Sequence, residues 1–169
     1  ARDRVNERYL PGIKLPDGLE IEHDFARGVA EVDQLLVVVP SHAFREVLER
    51  AKPLLRPGQR IAWATKGFEL ATGKLPHEVA VEVLGPDVPT AVLSGPTFAK
   101  EVGAGLPSAM TVASRDEDYA MSLARSFSGE NFRVYASSDM VGVEVGGATK
   151  NVLAIGAGIS DGLGFGANT

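Results

Sequence analysis

The sequence contains no cysteine, and it has fewer basic than acidic side chains, 17 against 22. The absence of cysteine excludes disulfides, thiolate nucleophiles and metal sites with sulfur ligands. The formal net charge of −5 offers no basic surface for a polyanion, so we expect no binding to nucleic acid. With 44% apolar and 23% charged residues, the composition is that of a globular chain.

Several common binding and catalytic motifs are also missing. The sequence holds no P-loop, no G-x-S-x-G elbow and no H-E-x-x-H helix, and we expect no metal site. Gly156-Ala157-Gly158 resembles the start of a dinucleotide fingerprint, but Asp161 stands where a third Gly or Ala is required. The run Gly162-Leu-Gly164-Phe-Gly166 fails likewise, so neither run is expected to be a cofactor loop.

Both ends of the sequence resemble the interior of a longer chain. The first twenty residues are polar, contain prolines and show no core pattern, and the last residues follow a glycine-rich stretch. The start also lacks the basic segment and apolar stretch of a secretory signal. We therefore expect a fragment of a longer parent protein in the cytoplasm.

Short apolar runs alternate with amphipathic stretches after Pro16. The predicted strands are Leu19–His23, Gln34–Val39, Arg60–Ala64, Thr90–Leu93, Ala109–Ala113 and Phe132–Tyr135. The predicted helices are Phe25–Val32, Ala43–Leu55, Leu75–Leu84, Phe98–Gly103 and Glu117–Phe127. This alternation favours βαβ units, and continuously apolar strands are typical of a parallel sheet covered on both faces. We predict an α/β fold with a parallel sheet.

One long helix is predicted over Asp139–Ser160, where no turn signal interrupts the pattern. Its apolar residues recur at spacings of three and four and its opposite face is also small and apolar, so we expect a buried helix. It contains Gly142, Gly146, Gly147, Gly156 and Gly158. Each glycine costs about 1 kcal/mol against alanine inside a helix, which indicates that another backbone or a ligand approaches closely.

Lys150 lies in the middle of this helix, on its small-residue face. A buried lysine without partners is costly, which favours a functional role. Two plainer interpretations stay open, namely that Lys150 reaches solvent or that it pairs with Glu144. A membrane span is disfavoured, although Gly142 and Gly146 match a helix-packing motif, because the helix also contains Glu144, Lys150 and Asn151.

Three predicted strands are followed by residues that could bind a ligand. The runs are Pro40-Ser41-His42-Ala43-Phe44, Thr65-Lys66-Gly67 and Ser94-Gly95-Pro96-Thr97. Ligands of doubly wound sheets bind at the carboxyl ends of the strands, so the runs together predict a site for a phosphorylated ligand. Taken singly, Ser41 and Thr97 could be helix caps, Phe44 could be core, and His42 is expected to be a loop residue.

These motifs occur in the order of a known family. The matching runs are Asn6-Glu-Arg-Tyr9-Leu-Pro-Gly12, Val39-Pro-Ser-His-Ala-Phe44, Ala64-Thr-Lys66-Gly67, Leu93-Ser-Gly95-Pro-Thr97-Phe-Ala99-Lys-Glu101, Gly142-Val-Glu-Val-Gly-Gly-Ala-Thr-Lys150-Asn151 and Ala157-Gly-Ile-Ser-Asp161-Gly-Leu-Gly-Phe-Gly166. Over the length of the chain they resemble the bacterial-type NAD(P)-dependent glycerol-3-phosphate dehydrogenases.

The resemblance implies a partial Rossmann-like NAD(P)-binding domain over residues 1–138 and the start of an all-helical substrate domain over residues 139–169. It implies hydride transfer between dihydroxyacetone phosphate and sn-glycerol 3-phosphate with NAD or NADP, for phospholipid synthesis, in a homodimer. By the same resemblance Lys150 is the catalytic lysine. The implied substrate contacts are Lys66, Gly95, Thr97 and Asn151, and the implied cofactor contacts are Lys66, Ala99 and Phe44.

The chain departs from the family in three respects. The glycine-rich fingerprint is expected before residue 1, the remaining Asp and Arg-Asn substrate contacts are expected after Thr169, and Thr149 stands where the family usually has Leu. Two-domain β-hydroxyacid dehydrogenases and ketopantoate reductases place a lysine on a similar helix but lack the runs at Lys66 and Gly95. For the isolated chain, a non-catalytic nucleotide-binding module is a further alternative.

Overall fold

The computed structural model describes residues 4–165, so residues 166–169 at the end of the expected substrate-domain segment lie outside it. Its strands are β1 (Val5–Asn6), β2 (Leu10–Lys14), β3 (Gln34–Val37), β4 (Arg60–Trp63), β5 (Thr90–Ser94), β6 (Ser108–Ser114) and β7 (Phe132–Ser137). Its helices are α1 (Phe25–Ala30), α2 (Ser41–Ala51), α3 (Pro76–Leu84), α4 (Ala99–Gly103), α5 (Glu117–Phe127) and α6 (Met140–Gly162), with a 3-10 turn at Lys52–Leu54. The predicted α/β fold is confirmed.

The main sheet has the strand order β3-β4-β5-β6-β7. It is parallel throughout except at β5 and β6, which pair antiparallel, so the prediction of a parallel sheet was wrong at this one pair. A parallel connection needs a crossover that packs back onto the sheet. Helix α4 has only five residues and contacts β2 instead, so the chain re-enters the sheet at the edge where β5 ends.

Hydrophobic side chains cover both faces of the main sheet. Successive residues of a strand point to opposite faces, and in β4 the side chains of Ile61 and Trp63 pack with α2 and α3. The side chain of Ala62, between them, packs with α5 on the other face. This arrangement is the doubly wound layering that the sequence predicts.

The N-terminal third differs from the sequence-based expectation. Leu19–His23, predicted as a strand, forms no strand, and Leu19 is 46% exposed because no neighbouring strand or helix covers it. Residues 5–14, which show no core pattern, form the antiparallel hairpin β1–β2. This hairpin packs on α4 at Gly103, where a Cβ atom would lie only 2.7 Å from the Cδ1 atom of Ile13.

Helix α6 is much more exposed than its apolar sequence predicts. Only its first half packs against β5 and β6, and beyond Lys150 the side chains of Val152, Leu153 and Ile155 are 64–70% exposed. The expectation of a helix buried on every side was therefore wrong for this chain, since the helix extends past the sheet that covers it. Within residues 4–165, no helix has the length and apolarity needed to cross a membrane.

We expect the 169-residue chain alone to aggregate or fold poorly, and to bind neither NADH nor NADPH measurably. The strand β3 lies at the edge of the sheet with Leu36 43% exposed, and exposed edges and apolar surfaces promote association. Size-exclusion chromatography, thermal melting and calorimetry with both cofactors test this. A monomer that melts cooperatively and binds NADH would contradict it and favour the nucleotide-binding module.

Candidate active site

The structure brings the three runs that are predicted to bind a ligand to one edge of the sheet. Strands β3, β4 and β5 are parallel, so the segments that follow them begin at the same edge. The hydroxyl of Thr65 donates to the carbonyl of Val39 at 2.8 Å, which joins the ends of β3 and β4. The edge is the one at which doubly wound sheets bind their ligands.

The side chain of Lys66 connects the second run to the third. Its ammonium donates to the carbonyl oxygen of Gly95 at 2.8 Å, and the same oxygen accepts from the amide of Thr97 at 2.9 Å. Lys66 is half-buried. Burial lowers the pKa of Lys66, and the positive charge of Lys150 lowers it further. The two lysines therefore lie close enough for their charges to interact.

Gly95 occupies a position where only glycine fits. A Cβ atom there would lie 2.6 Å from the carbonyl oxygen of Ala109 and 2.7 Å from the Cα atom of Met110. Both atoms belong to the backbone of β6, which cannot move without disturbing the sheet. The close approach of the two backbones fixes the carbonyl that Lys66 and Thr97 share.

Helix α6 begins at the opposite edge of the sheet, after the end of β7, and crosses the face of the sheet to reach this edge. The carboxylate of Asp139 caps the helix by accepting from the amide of Gly142 at 2.8 Å. Gly147 lies against β5, because a Cβ atom there would be 2.6 Å from Ser94 Oγ and 3.7 Å from Lys66 Cγ. The close approach expected from the glycines is therefore seen at Gly147, whereas Gly146, Gly156 and Gly158 face open space.

Lys150 stands one turn beyond Gly147 on α6. Its ammonium lies 5.4 Å from the centre of the Phe98 ring, within the range of a cation–π interaction. The side chain is half-buried rather than buried. The alternative that Lys150 pairs with Glu144 was wrong, because the Glu144 carboxylate bonds to His77 and Trp63 instead.

A groove of about 320 Å³ separates α6 from the ends of β5 and β6. Its lining residues are Ser94, Gly95, Pro96, Thr111, Gly142, Val143, Gly146, Gly147 and Lys150. Small residues on α6 leave this space open, and one ammonium group lines it. The groove therefore suits a small anionic molecule.

The other residues implied by the resemblance are not among those that line this groove. Thr97 is half-buried, and Ala99 and Asn151 are exposed. Phe44 is 2% exposed and packs edge-on against Trp63 with ring centres 5.4 Å apart. This burial favours a packing role for Phe44 over a cofactor contact.

Three of the plainer interpretations of the strand-end residues were wrong. Ser41 is not a cap, because Pro40 is the N-cap of α2 and that helix has no side-chain cap. Thr97 precedes Phe98, the N-cap of α4, which likewise has no side-chain cap. His42 is exposed in the first turn of α2, so it lies on a helix rather than in a loop.

Two features of the site were not found from the sequence. One is Phe98, which contacts Lys150 and is 61% exposed. The sequence signal for it was its position directly after Gly95-Pro96-Thr97. The second is Glu144, whose carboxylate lies inside the fold among Trp63 and His77. A single carboxylate in an otherwise small and apolar stretch of helix was the signal for it.

We expect Gly95→Ala to destabilise the parent protein by about 1–3 kcal/mol, the usual cost of overpacking. The matched control is Gly129→Ala, because Gly129 has no atom within 4 Å of an added Cβ and its substitution should change the free energy of unfolding by less than about 0.5 kcal/mol. Urea denaturation of both variants provides the comparison. Equal stabilities would mean that β5 and β6 separate at this point without cost.

Comparison with known proteins places these features in a family. Glycerol-3-phosphate dehydrogenase (NAD(P)+) of Citrobacter koseri is 56% identical over 168 residues, 99% of this chain and 50% of that protein. The corresponding protein of Escherichia coli K12 is 55% identical over the same length. The crystal structure of glycerol-3-phosphate dehydrogenase from Coxiella burnetii has a TM-score of 0.88 and 46% identity, and it covers 99% of this chain and 51% of that one.

The chain thus spans about half the length of the curated relatives that it matches. Family models match both of its parts: NAD-dependent glycerol-3-phosphate dehydrogenase N-terminus over residues 1–120 and the C-terminus of the same family over residues 139–169. The chain belongs to the NAD-dependent glycerol-3-phosphate dehydrogenase family.

Proposed function

We propose that the parent protein interconverts dihydroxyacetone phosphate and sn-glycerol 3-phosphate by hydride transfer with NAD or NADP. The observation that carries the proposal is the pair of lysines at the ligand edge of the sheet, Lys66 on the loop after β4 and Lys150 on α6. Family membership supports the same reaction. We further propose that the protein is a cytoplasmic homodimer and supplies glycerol 3-phosphate for phospholipid synthesis.

The substrate proposal follows from charge and space. Dihydroxyacetone phosphate is a small dianion with a ketone at C2, and the groove has two ammonium groups at or beside its wall. Lys66 would bind the substrate with the polar groups of Gly95 and Thr97, while Asn151 follows Lys150 on α6. Charge-assisted hydrogen bonds to such an anion are stronger than neutral ones.

The residues at the sheet edge fit the nicotinamide end of a dinucleotide. Gly95 brings the backbone close without a side chain, and Ala99 is small and exposed beside it, so Lys66 and Ala99 would hold this end. The sequence has no glycine fingerprint for the pyrophosphate, and its packed position makes Phe44 the weakest of the proposed cofactor contacts. When bound, the nicotinamide supplies the hydride that reaches C2 of the substrate.

Lys150 performs the acid–base part of the reaction. As C2 receives the hydride, negative charge develops on its oxygen, and the ammonium of Lys150 stabilises that charge and donates a proton to it. The product is the secondary alcohol, and the neutral amine recovers its proton from solvent. In the reverse direction the neutral amine removes the hydroxyl proton as hydride leaves C2.

The nearest alternative is another two-domain dehydrogenase, of the β-hydroxyacid or ketopantoate type. The Lys66 and Gly95 runs, which those families lack, favour the glycerol-3-phosphate reaction. NADH and NADPH oxidation by the parent protein, followed by absorbance, compares dihydroxyacetone phosphate with ketopantoate. Turnover with ketopantoate alone would overturn the proposed substrate.

We expect Lys150→Ala in the parent protein to keep the fold and to lower kcat by about 100- to 10,000-fold, the usual effect of removing a positioned acid–base group. The matched control is Lys52→Ala, which removes an exposed lysine on the 3-10 turn and should leave kcat unchanged. Circular dichroism checks the fold of both. A near-normal kcat for Lys150→Ala would make this lysine structural.

Replacing Lys66 by Met should raise KM for dihydroxyacetone phosphate and also slow turnover. The substitution keeps the length of the side chain but removes its charge, and losing one hydrogen bond to a charged group costs about 1.5–3 kcal/mol, or roughly 10- to 100-fold in kcat/KM. Steady-state kinetics with Lys52→Met as control measures this. Unchanged kcat and KM would place Lys66 outside the binding site.

A further inference from the structure

The carboxylate of Glu144 is buried in the fold, six residues before Lys150 on α6. Its side chain is 1% exposed, and it accepts three hydrogen bonds from outside its own helix. The indole nitrogen of Trp63 donates at 3.0 Å, the backbone amide of His77 at 3.1 Å, and the Nδ1 atom of His77 at 2.6 Å.

This arrangement is costly unless every bond is made. Burial raises the pKa of the Glu144 carboxyl, and the donors from His77 and Trp63 oppose that rise. An apolar side chain of similar size would avoid the desolvation cost altogether. What the carboxylate adds is a geometric constraint, because its oxygens accept all three hydrogen bonds only when the donors occupy fixed positions.

The three donors lie on both sides of the loop that carries Lys66. Trp63 is the last residue of β4 and His77 is the second residue of α3, and Lys66 belongs to the segment between them. Glu144 therefore binds the chain just before this loop and just after it. Any rotation or translation of α6 would break bonds at one side or both.

A second contact fixes α6 on the side of Lys150. Gly147 stands between Glu144 and Lys150 and lies against Ser94 and Lys66. Six residues of helix rise by about 9 Å, so Lys150 lies about 9 Å along α6 from Glu144 and one turn beyond Gly147. The position of its ammonium relative to Lys66 follows from how α6 is held at Glu144 and Gly147.

We propose that Glu144 is a positioning residue for the dehydrogenase reaction, which holds the helix of Lys150 and the loop of Lys66 in one fixed relation. The inference rests on the proposed function, since Glu144 acts through these two lysines and does not line the groove. Its partners in this role are Trp63 and the N-terminal turn of α3 at His77.

The test compares four variants of the parent protein. Glu144→Leu removes the acceptor, and Glu144→Gln keeps the shape, with its oxygen placed to accept from Trp63 and its amide placed to donate to Nδ1 of His77. Trp63→Phe removes one donor and keeps the aromatic packing. Glu49→Leu on α2 is the control, because it makes the same substitution at an exposed helical site.

Two readouts separate positioning from a loss of folded protein. One is the first-order rate constant for NADH oxidation in a single turnover of enzyme mixed with excess dihydroxyacetone phosphate, which does not depend on the active fraction. The other is amide hydrogen exchange over residues 145–151, which reports how firmly this part of α6 is held. Cofactor affinity is measured by fluorescence quenching.

We expect Glu144→Leu to lower the single-turnover rate constant by about 10- to 100-fold, the scale of a misplaced catalytic group, with a smaller loss of NADH affinity because Lys66 is also a proposed cofactor contact. Exchange over residues 145–151 should accelerate. Glu144→Gln should restore most of both, Trp63→Phe should show a smaller loss, and Glu49→Leu should match the unsubstituted protein. If Glu144→Leu fails to fold, Trp63→Phe and Glu144→Gln carry the comparison.

A reduced amplitude with an unchanged rate constant and unchanged exchange would overturn the proposal, because Glu144 would then only stabilise the fold. An equal rate loss in Glu49→Leu would overturn it as well. Absence of turnover in the unsubstituted parent protein would refute the proposed function instead. The exchange data would still decide whether Glu144 holds α6.

Discussion

The site depends on the close approach of α6 to the ends of β4 and β5. The approach is helped by the missing side chain of Gly147, because Ser94 Oγ occupies the space that a Cβ would fill and Lys66 Cγ lies just beyond it. Alanine at this position would require the Ser94 hydroxyl to rotate away, and a larger side chain would also press against Lys66. The glycine weakens the helix by about 1 kcal/mol relative to alanine, but it lets α6 and the end of β5 line one groove.

The same approach brings two positive charges together. Burial and the charge of Lys150 both lower the pKa of Lys66. The site between the two lysines therefore carries an excess of positive charge. The dianionic substrate proposed above would supply negative charge and relieve the repulsion. Acidic side chains nearby could have done the same, but Glu144 is turned into the core and is unavailable to either lysine. The charge distribution thus favours an anionic substrate over a neutral one.

Much of this arrangement could be predicted from the sequence, because it rests on local patterns. The alternation of apolar and amphipathic runs gives the strands and helices, and the parallel order of β3, β4 and β5 gives the shared edge at which Lys66 and Gly95 meet. The glycines of α6 indicate a close approach. In each case the residue types and their spacing carry the information.

The sequence does not show which distant residues a given side chain or segment contacts. Helical spacing argues against a Glu144–Lys150 pair, because side chains six residues apart lie about 120° apart around the helix. That Glu144 meets Trp63 depends on how α6 is rotated against β4 and α3, which the spacing does not show. The reversal of β6 likewise depends on where α4 packs, and five residues of helix give no pattern that distinguishes the hairpin from the sheet. Residues 5–14 form strands because α4 covers them, and that partner is distant in sequence.

The reversed strand β6 also decides where this fold can change its length. A crossover between parallel strands has to span the sheet, which sets a minimum number of residues. The segment between β5 and β6 leaves the sheet and returns to it at the same edge, so it does not have to cross the sheet. Lengthening such a loop costs little free energy. Insertions after Gly103 can therefore lengthen this connection, next to the β1–β2 hairpin, while the strands and both lysines keep their places.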